Sequence, residues 1–355
     1  MRVLQLIDSL QPGGAERMAI SYAELLHKNG YASYLCCTRF EGILNENLNS
    51  EIGYLFLNKK SALDISAFSK LRRFVKENKI EIIHAHSSSF FFASLLKLSG
   101  LSIKLVWHDH YGDSDLLQYR KFKILKLFSK SFNGIISVNQ KLKDWATANL
   151  KTERVVMINN FVPNTQNKNE LFNLKGSQNA FKIICVANLR PQKDHANILR
   201  SFELLSTKIN VTLHLVGNDP NTSHSRLILD QISASKNRDY IFYYGPQRNV
   251  MGFLKQADLG VLASRSEGLP LALLEYGKAG IPVVVTDVGK CSEVVNGYGE
   301  IVVPNNSTAF FDAMWKYYED DKKRHLDAEK FQHHVLLEYS EDVIFKKIIE
   351  FYVSL

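Results

Sequence analysis

The sequence predicts two doubly wound α/β domains, each with a parallel sheet. Three observations carry that expectation. Apolar strand-like runs alternate with amphipathic helical stretches in both halves of the chain. The alternation breaks once, over the Asn/Gln-rich stretch 160–180, which reads as an inter-domain linker with Pro163 and Gly176. Finally, 355 residues suit two cores better than one.

The elements follow in order. "RVLQLID" is a strand and not a signal peptide, because Asp8 interrupts a short apolar run. "AERMAISYAELLHKNG" is an amphipathic helix closed by Gly30. "YASYLCCT" is the next strand, and "DISAFSKLRRFVKENK" a helix with Asp64 as N-cap. "IEIIHAH", "IKLVWHDH", "GIISVN" and "RVVMINN" are further strands, with the helix "SSFFFASLLKLSG" between the first two. Beyond the linker, "FKIICVANL", "VTLHLVGND", "YIFYYG", "LGVLAS" and "IPVVVTD" are the strands of the second domain. Domain bounds of 1–165 and 166–337 follow, with an amphipathic C-terminal helix at about 338–355 packing back on the first domain.

Composition narrows the class. No apolar run reaches the ~18 residues that span a bilayer. Cys36, Cys37, Cys185 and Cys291 have neither disulfide nor metal-ligand spacing, which points to a reduced, cytoplasmic protein without structural metal. The net charge is +8, and all of the excess lies early: residues 1–165 hold 22 Lys/Arg against 14 Asp/Glu. That asymmetry suits an anionic surface or acceptor, or a plain solvated face. Nucleic acid is disfavoured, since no nucleic-acid motif accompanies the charge.

In open parallel sheets ligands bind beyond the carboxyl ends of the strands, so residues just after strands matter most. Gly13 and Gly14 follow the first strand and open a helix, either as an anion-binding turn or a flexible one. His84 and His86 end one strand; His108, Asp109 and His110 end another. Neutral imidazoles there suit a sugar or phosphate, and no complete metal-ligand set accompanies them. Asp113-Ser-Asp115 reads as loop chemistry. Arg190 and Lys193 precede a helix, a cationic pair suited to a diphosphate or an ordinary basic loop. Gly217 ends another strand. In "SRSEGLPLALLE", Glu267 sits in a loop, Gly268-Leu269-Pro270 opens a helix, and Glu275 lies on it. Helix and loop hold the two acids apart, so they are not a catalytic carboxylate pair.

These residues resemble family 4 glycosyltransferases of the GT-B architecture, with two Rossmann-like domains facing a cleft. The resemblance covers nearly the whole chain: "GGAE" (13–16), "HD" (108–109), the Arg/Lys loop (190–193), Glu-x7-Glu (267–275), and the flanks "ADLGVLAS" and "GIPVVVTDVG". It implies a retaining transfer of a hexosyl or N-acetylhexosaminyl group from a UDP- or GDP-sugar to a saccharide, lipid-linked in surface polysaccharide synthesis. No cofactor or metal is required.

Carried over by position, Glu267 contacts donor-sugar hydroxyls, Gly268 and Leu269 meet sugar or phosphate oxygens, and Glu275 binds the ribose. Lys193 neutralises the leaving diphosphate, and His108 lies near the reacting sugar. Gly14 and Gly217 join the donor site; Gly13, Gly14, His86, His108 and Asp109 belong to the acceptor side. Asn188 stands where many members have arginine, and Arg190 is expected to supply the missing charge. Residues 119–132 interleave basic and apolar side chains, as at the inner face of a membrane or over a packing stripe. A nucleotide-sugar epimerase or a non-catalytic sugar-nucleotide-binding protein are the alternatives.

Overall fold

A computed structural model describes residues 1–163, 173–247 and 249–355. Residues 164–172, in the middle of the expected linker 160–180, lie outside the described residues. The chain divides into two compact units, Met1–Pro163 with Glu341–Leu355, and Asn164–Ser340.

The first unit runs β1 (Arg2–Ser9), α1 (Gly14–Lys28), β2 (Ala32–Phe40), β3 (Gly53–Phe56), α2 (Ile65–Glu77), β4 (Ile82–His86) and α3 (Phe90–Leu98). It continues through β5 (Lys104–Asp109), α4 (Lys123–Phe128), β6 (Gly134–Ser137), α5 (Gln140–Asn149) and β7 (Val155–Met157). Its seven parallel strands are ordered β3-β2-β1-β4-β5-β6-β7. Strand order reverses beside β1, which is where a doubly wound sheet opens to ligands. β3 escaped the sequence reading, because four half-buried residues at a sheet edge carry no long apolar run. Asp64 caps α2 as expected, its carboxylate accepting from Ala67 N at 2.9 Å.

The second unit contains β8 (Phe181–Val186), α6 (His195–Ser206), β9 (Val211–Val216), α7 (Ser223–Ala234), β10 (Ile241–Tyr243) and α8 (Met251–Leu254). Then come β11 (Leu259–Leu262), α9 (Leu271–Ala279), β12 (Val283–Thr286), α10 (Cys291–Val295), β13 (Glu300–Val302), α11 (Ser307–Glu319) and α12 (Asp321–Glu338). Its six parallel strands are ordered β10-β9-β8-β11-β12-β13. Tyr276 joins α9 to the sheet: Val186 N donates to its hydroxyl at 2.7 Å, and the hydroxyl donates to Val261 O. Gly260 makes room for that ring, since a Cβ there would lie 2.8 Å from it.

The C-terminal helix expected at about 338–355 is α13 (Glu341–Val353), and α12 precedes it. α12 ends at Glu338, and α13 lies within the first unit. There Lys28 pairs with the buried Glu341, and the Phe351 ring takes the space a side chain at Gly134 would need. Both sheets bury their central strands on two faces, so those strands read as unbroken Val/Ile/Leu runs.

Candidate active site

The second unit brings its candidate residues together on two loops. One follows β8 and holds a single 3-10 turn, Pro191–Lys193, before α6. The other follows β11 and leads into α9. Three contacts tie them together. Lys193 Nζ pairs with Glu267 Oε1. The Arg265 guanidinium grips both Asp194 oxygens at 3.0 Å. Arg265 N donates to Gln192 O at 2.7 Å. Asp194 adopts the left-handed region, φ 45° and ψ 51°, a conformation that Asp tolerates better than most residues. Its bidentate partner holds it there.

Glu267 is buried, and its Oε1 also accepts from Ser264 Oγ at 2.6 Å. Ser264 O in turn accepts from Thr286 Oγ1 at 2.6 Å, which anchors the loop to the end of β12. On the other side the chain passes close to Gly289. A Cβ at that position would sit 2.2 Å from Glu267 O, and Gly289 has φ +56°. Lys290 N donates to Gly268 O at 3.2 Å. Gly268 and Leu269 are buried at the mouth of α9, with Pro270 as N-cap, and Glu275 lies on the helix, 9% exposed. The site therefore combines a cation, a carboxylate and a helix N-terminus, a set that can bind an anion and a neighbouring polyol.

Two donor-side expectations change. Gly217 serves packing: a Cβ would meet Ala187 O at 2.1 Å, its N donates to Gly245 O and its O accepts from Tyr243. Asn188 likewise holds loops together, accepting from Asn218 N at 2.8 Å. Arg190 is exposed, and its side chain has no ion-pair partner among the described residues.

The first unit carries its candidate residues on strands. His84 and His86 are two apart on β4, His108 is the last residue but one of β5 and His110 follows the strand, so all four project from one sheet face. Their rings stack, His84 on His86 at 4.4 Å and His108 on His110 at 3.9 Å between centroids. The Tyr22 ring of α1 lies over them. His86 Nε2 bonds Gln5 Oε1, and its Nδ1 bonds His110 Nε2, both at 2.9 Å. His84 Nε2 bonds His108 Nδ1 at 3.1 Å, and His84 Nδ1 bonds the Tyr352 hydroxyl at 2.6 Å. Ring nitrogens of His84, His86 and His108 lie within 4.8 Å of one another, near enough to suggest a cation site. Those of His84 and His86 are spent on hydrogen bonds. Burial pushes these imidazoles well below their usual pKa, and takes His110 down to about 3. The cluster is a neutral array.

Asp109, expected on the acceptor side, is committed elsewhere. It is buried, and Arg120 holds both its oxygens at 2.7 Å. Arg120 is itself stacked against Trp145 and Tyr111, 4.1 and 4.3 Å from their ring centroids. This pair shapes the loop after β5. Gly13 caps α1 with the Glu16 carboxylate against it, and Gly14 faces open space. Asp115 pairs with Lys141. Sequence reasoning missed Gln5, Tyr352, Ser264, Arg265, Thr286 and Gly289. All but Tyr352 lie within stretches the sequence already singles out, Gln5 in "RVLQLID", Ser264 and Arg265 in "SRSEGLPLALLE", Thr286 and Gly289 in "GIPVVVTDVG", but as strand or flank residues and not as members of a site.

Residues 12–166 match the model of Glycosyltransferase Family 4, and residues 166–330 that of Glycosyl transferases group 1. The O-antigen biosynthesis glycosyltransferase WbnH of Escherichia coli is 27% identical over 269 residues, 74% of each chain. The UDP-Gal:alpha-D-GlcNAc-diphosphoundecaprenol alpha-1,3-galactosyltransferase of Escherichia coli is 23% identical over 337 residues, 86% of this chain and 85% of that one. Among solved structures, Anabaena HepE in complex with UDP-glucose superposes over 100% of both chains, with TM-score 0.83 and 18% identity. The lipopolysaccharide glycosyltransferase WaaG covers 97% of this chain and 98% of its own, with TM-score 0.72 and 14% identity. With two Rossmann-like parallel-sheet units and both halves matched, the chain belongs to the family 4 glycosyltransferases of GT-B fold.

Proposed function

We propose that this glycosyltransferase moves a hexosyl or N-acetylhexosaminyl group from a UDP- or GDP-sugar to a lipid-linked saccharide in surface polysaccharide synthesis, retaining anomeric configuration. The observation that carries the reading is Lys193 held on Glu267 beside the N-terminus of α9. In the proposed complex Glu267 turns to sugar hydroxyls, and Lys193 and the helix amides meet the diphosphate. As the glycosidic bond breaks, charge grows on the leaving phosphate, where a fixed cation and helix dipole stabilise it most. That arrangement needs no metal. Glu275 takes the ribose, and Arg190 is free to swing onto the diphosphate. The galactosyltransferase above acts from a UDP-sugar on a diphosphoundecaprenol acceptor, and HepE binds UDP-glucose, which favours uridine.

The acceptor belongs to the first unit under this reading, and that unit offers a face for the lipid. Residues 119–132 form not one helix but the short α4 between 3-10 turns. Leu125 packs inward, whereas Leu116, Tyr119, Ile124 and Leu127 are exposed among Lys121, Lys123, Lys126 and Lys130. Apolar side chains ringed by lysines suit an anionic lipid surface at the inner face of a membrane. No helix among the described residues is long and apolar enough to cross one.

A thermal-shift panel of UDP- and GDP-sugars tests the donor: the cognate one raises Tm by mass action. No shift with any of them overturns the reading. Product anomer by NMR tests retention, and transfer that stops in EDTA and returns with magnesium would remove the metal-free mechanism. Flotation with anionic vesicles at low salt tests the lipid surface.

A further inference from the structure

We propose that Tyr352 of the C-terminal helix fixes, through His84, which nitrogen of His108 carries its proton, so that His108 presents an Nε2–H donor and not a base. The argument is one of hydrogen-bond direction. A neutral imidazole has one N–H and one lone pair, so each ring in a chain passes the direction on. A phenol is the stronger donor in a phenol–imidazole contact. The Tyr352 O–H therefore donates to His84 Nδ1, 2.6 Å away. His84 then carries its proton on Nε2 and donates to His108 Nδ1 at 3.1 Å. His108 is left with its proton on Nε2.

The second column gives the same answer by an independent route. The Gln5 Oε1 atom only accepts, so His86 carries its proton on Nε2. His86 Nδ1 then accepts, so His110 donates from Nε2. All four rings share one tautomer, which two stacked columns of parallel rings accommodate without facing two donors or two lone pairs. Every ring proton of His84, His86 and His110 is used inside the array. The buried His108 Nε2 ends the relay with no partner among the described residues, and Gln5 Nε2 at the end of the second column has none either. A buried N–H without an acceptor costs about 1–3 kcal/mol, so it marks a place where a ligand oxygen or water belongs. It stands at the end of β5, on the edge where this sheet type takes ligands.

The destination of that N–H rests on the function proposed above; the tautomers do not, and they are measured without ligand. Long-range proton–nitrogen NMR on the full chain, labelled at histidine, reads both nitrogens of each ring. The expected spectrum has Nε2 protonated and Nδ1 bare at His84, His86, His108 and His110. A proton on His108 Nδ1 overturns the proposal without any variant. Tyr352→Phe keeps the ring and removes the donor: the Nδ1 signal of His84 moves to the free lone-pair position, and His108 becomes a mixture of tautomers. Unchanged His108 signals in a folded variant overturn the relay. Turnover in that variant should fall about tenfold, the worth of one well-aimed hydrogen bond. Unchanged turnover with a shifted tautomer overturns the relay's part in transfer. Stoichiometric zinc bound by the wild-type chain and displacing the ring protons overturns the tautomer assignment.

Discussion

The two units hold their functional side chains by opposite means. In the first, neutral rings stand on β4 and β5, and the strand register alone sets their spacing. In the second, charged side chains stand on loops, and ion pairs set the spacing: Arg265 on Asp194, Lys193 on Glu267. Burial explains the choice. A full charge inside the first sheet would be costly, so histidines stay uncharged there. Loops at a helix mouth keep Lys193 and Arg265 partly in water, where charge is affordable and an anion can reach it. Strands give rigidity without charge, and loops give charge that needs bracing.

The largest test of this contrast is Glu267→Gln. The amide keeps the shape but removes the charge that holds Lys193, and it changes what meets the donor sugar. Transfer from the cognate nucleotide-sugar should drop about 100-fold or more, as when a fixed group serving the transition state is lost. The His108 spectrum should stay as in the wild type. Activity within a few-fold of wild type would break the assignment of the second unit's charged loops.

Acid separates the units next. The folded-state pKa of each array histidine lies below its unfolded value of about 6.5, so the unfolded chain binds the extra proton. The stability contribution is complete above about pH 6.5 and is lost as pH falls through the folded values, near 3 for His110. For His110 that loss is about 2 kcal/mol by pH 5, and His84, His86 and His108 add to it in the same direction. The second unit also buries His195 and His214, both taken down to about 4, but there His214 stacks on Phe242 and Tyr244, and no histidine stacks on another among the described residues. Calorimetry from pH 7 to 5 should show the first unit's transition falling faster. Parallel falls would break the contrast.

Arg265→Ala probes the bracing. The backbone bond to Gln192 survives, while Asp194 loses both of its guanidinium contacts in a left-handed conformation. We expect kcat/KM to fall about fivefold, with Arg265→Lys a partial rescue, because lysine keeps the charge and loses the fork. Equal values for wild type and Arg265→Ala would make the brace ornamental.

The same contrast governs what the sequence disclosed. Sheets were legible because buried parallel strands are unbroken apolar runs; β3 and β13, short and half-exposed, were not. Lys193 and Glu267 were legible because they sit in recognisable loops after strands, and the structure pairs them. Their support was not: Thr286 ends β12 and Gly289 lies in the turn after it, and only the fold brings them to the Ser264–Glu267 loop. Tyr352 lies 268 residues from the histidine it bonds, a separation no local pattern encodes. Gly217 and Asp109 looked like ligand contacts because strand ends attract that reading; close backbone approach and Arg120 claim them first.

Surface charge carries the smallest expected effect. Ile124 and Leu127 are exposed, 61% and 66%, so the double change Ile124→Ser/Leu127→Ser should alter stability by no more than about 0.5 kcal/mol per site. Transfer to a soluble saccharide acceptor should be unchanged, since neither residue belongs to the histidine array or the charged loops. Flotation with anionic vesicles should weaken, because each apolar side chain entering the interface contributes through its buried area. The lysines around them should make the remaining binding salt-sensitive. If flotation is unchanged in the double variant and in Lys123→Glu/Lys126→Glu, the excess positive charge of the first unit is a solvated face, and the contrast between the units ends at their sites.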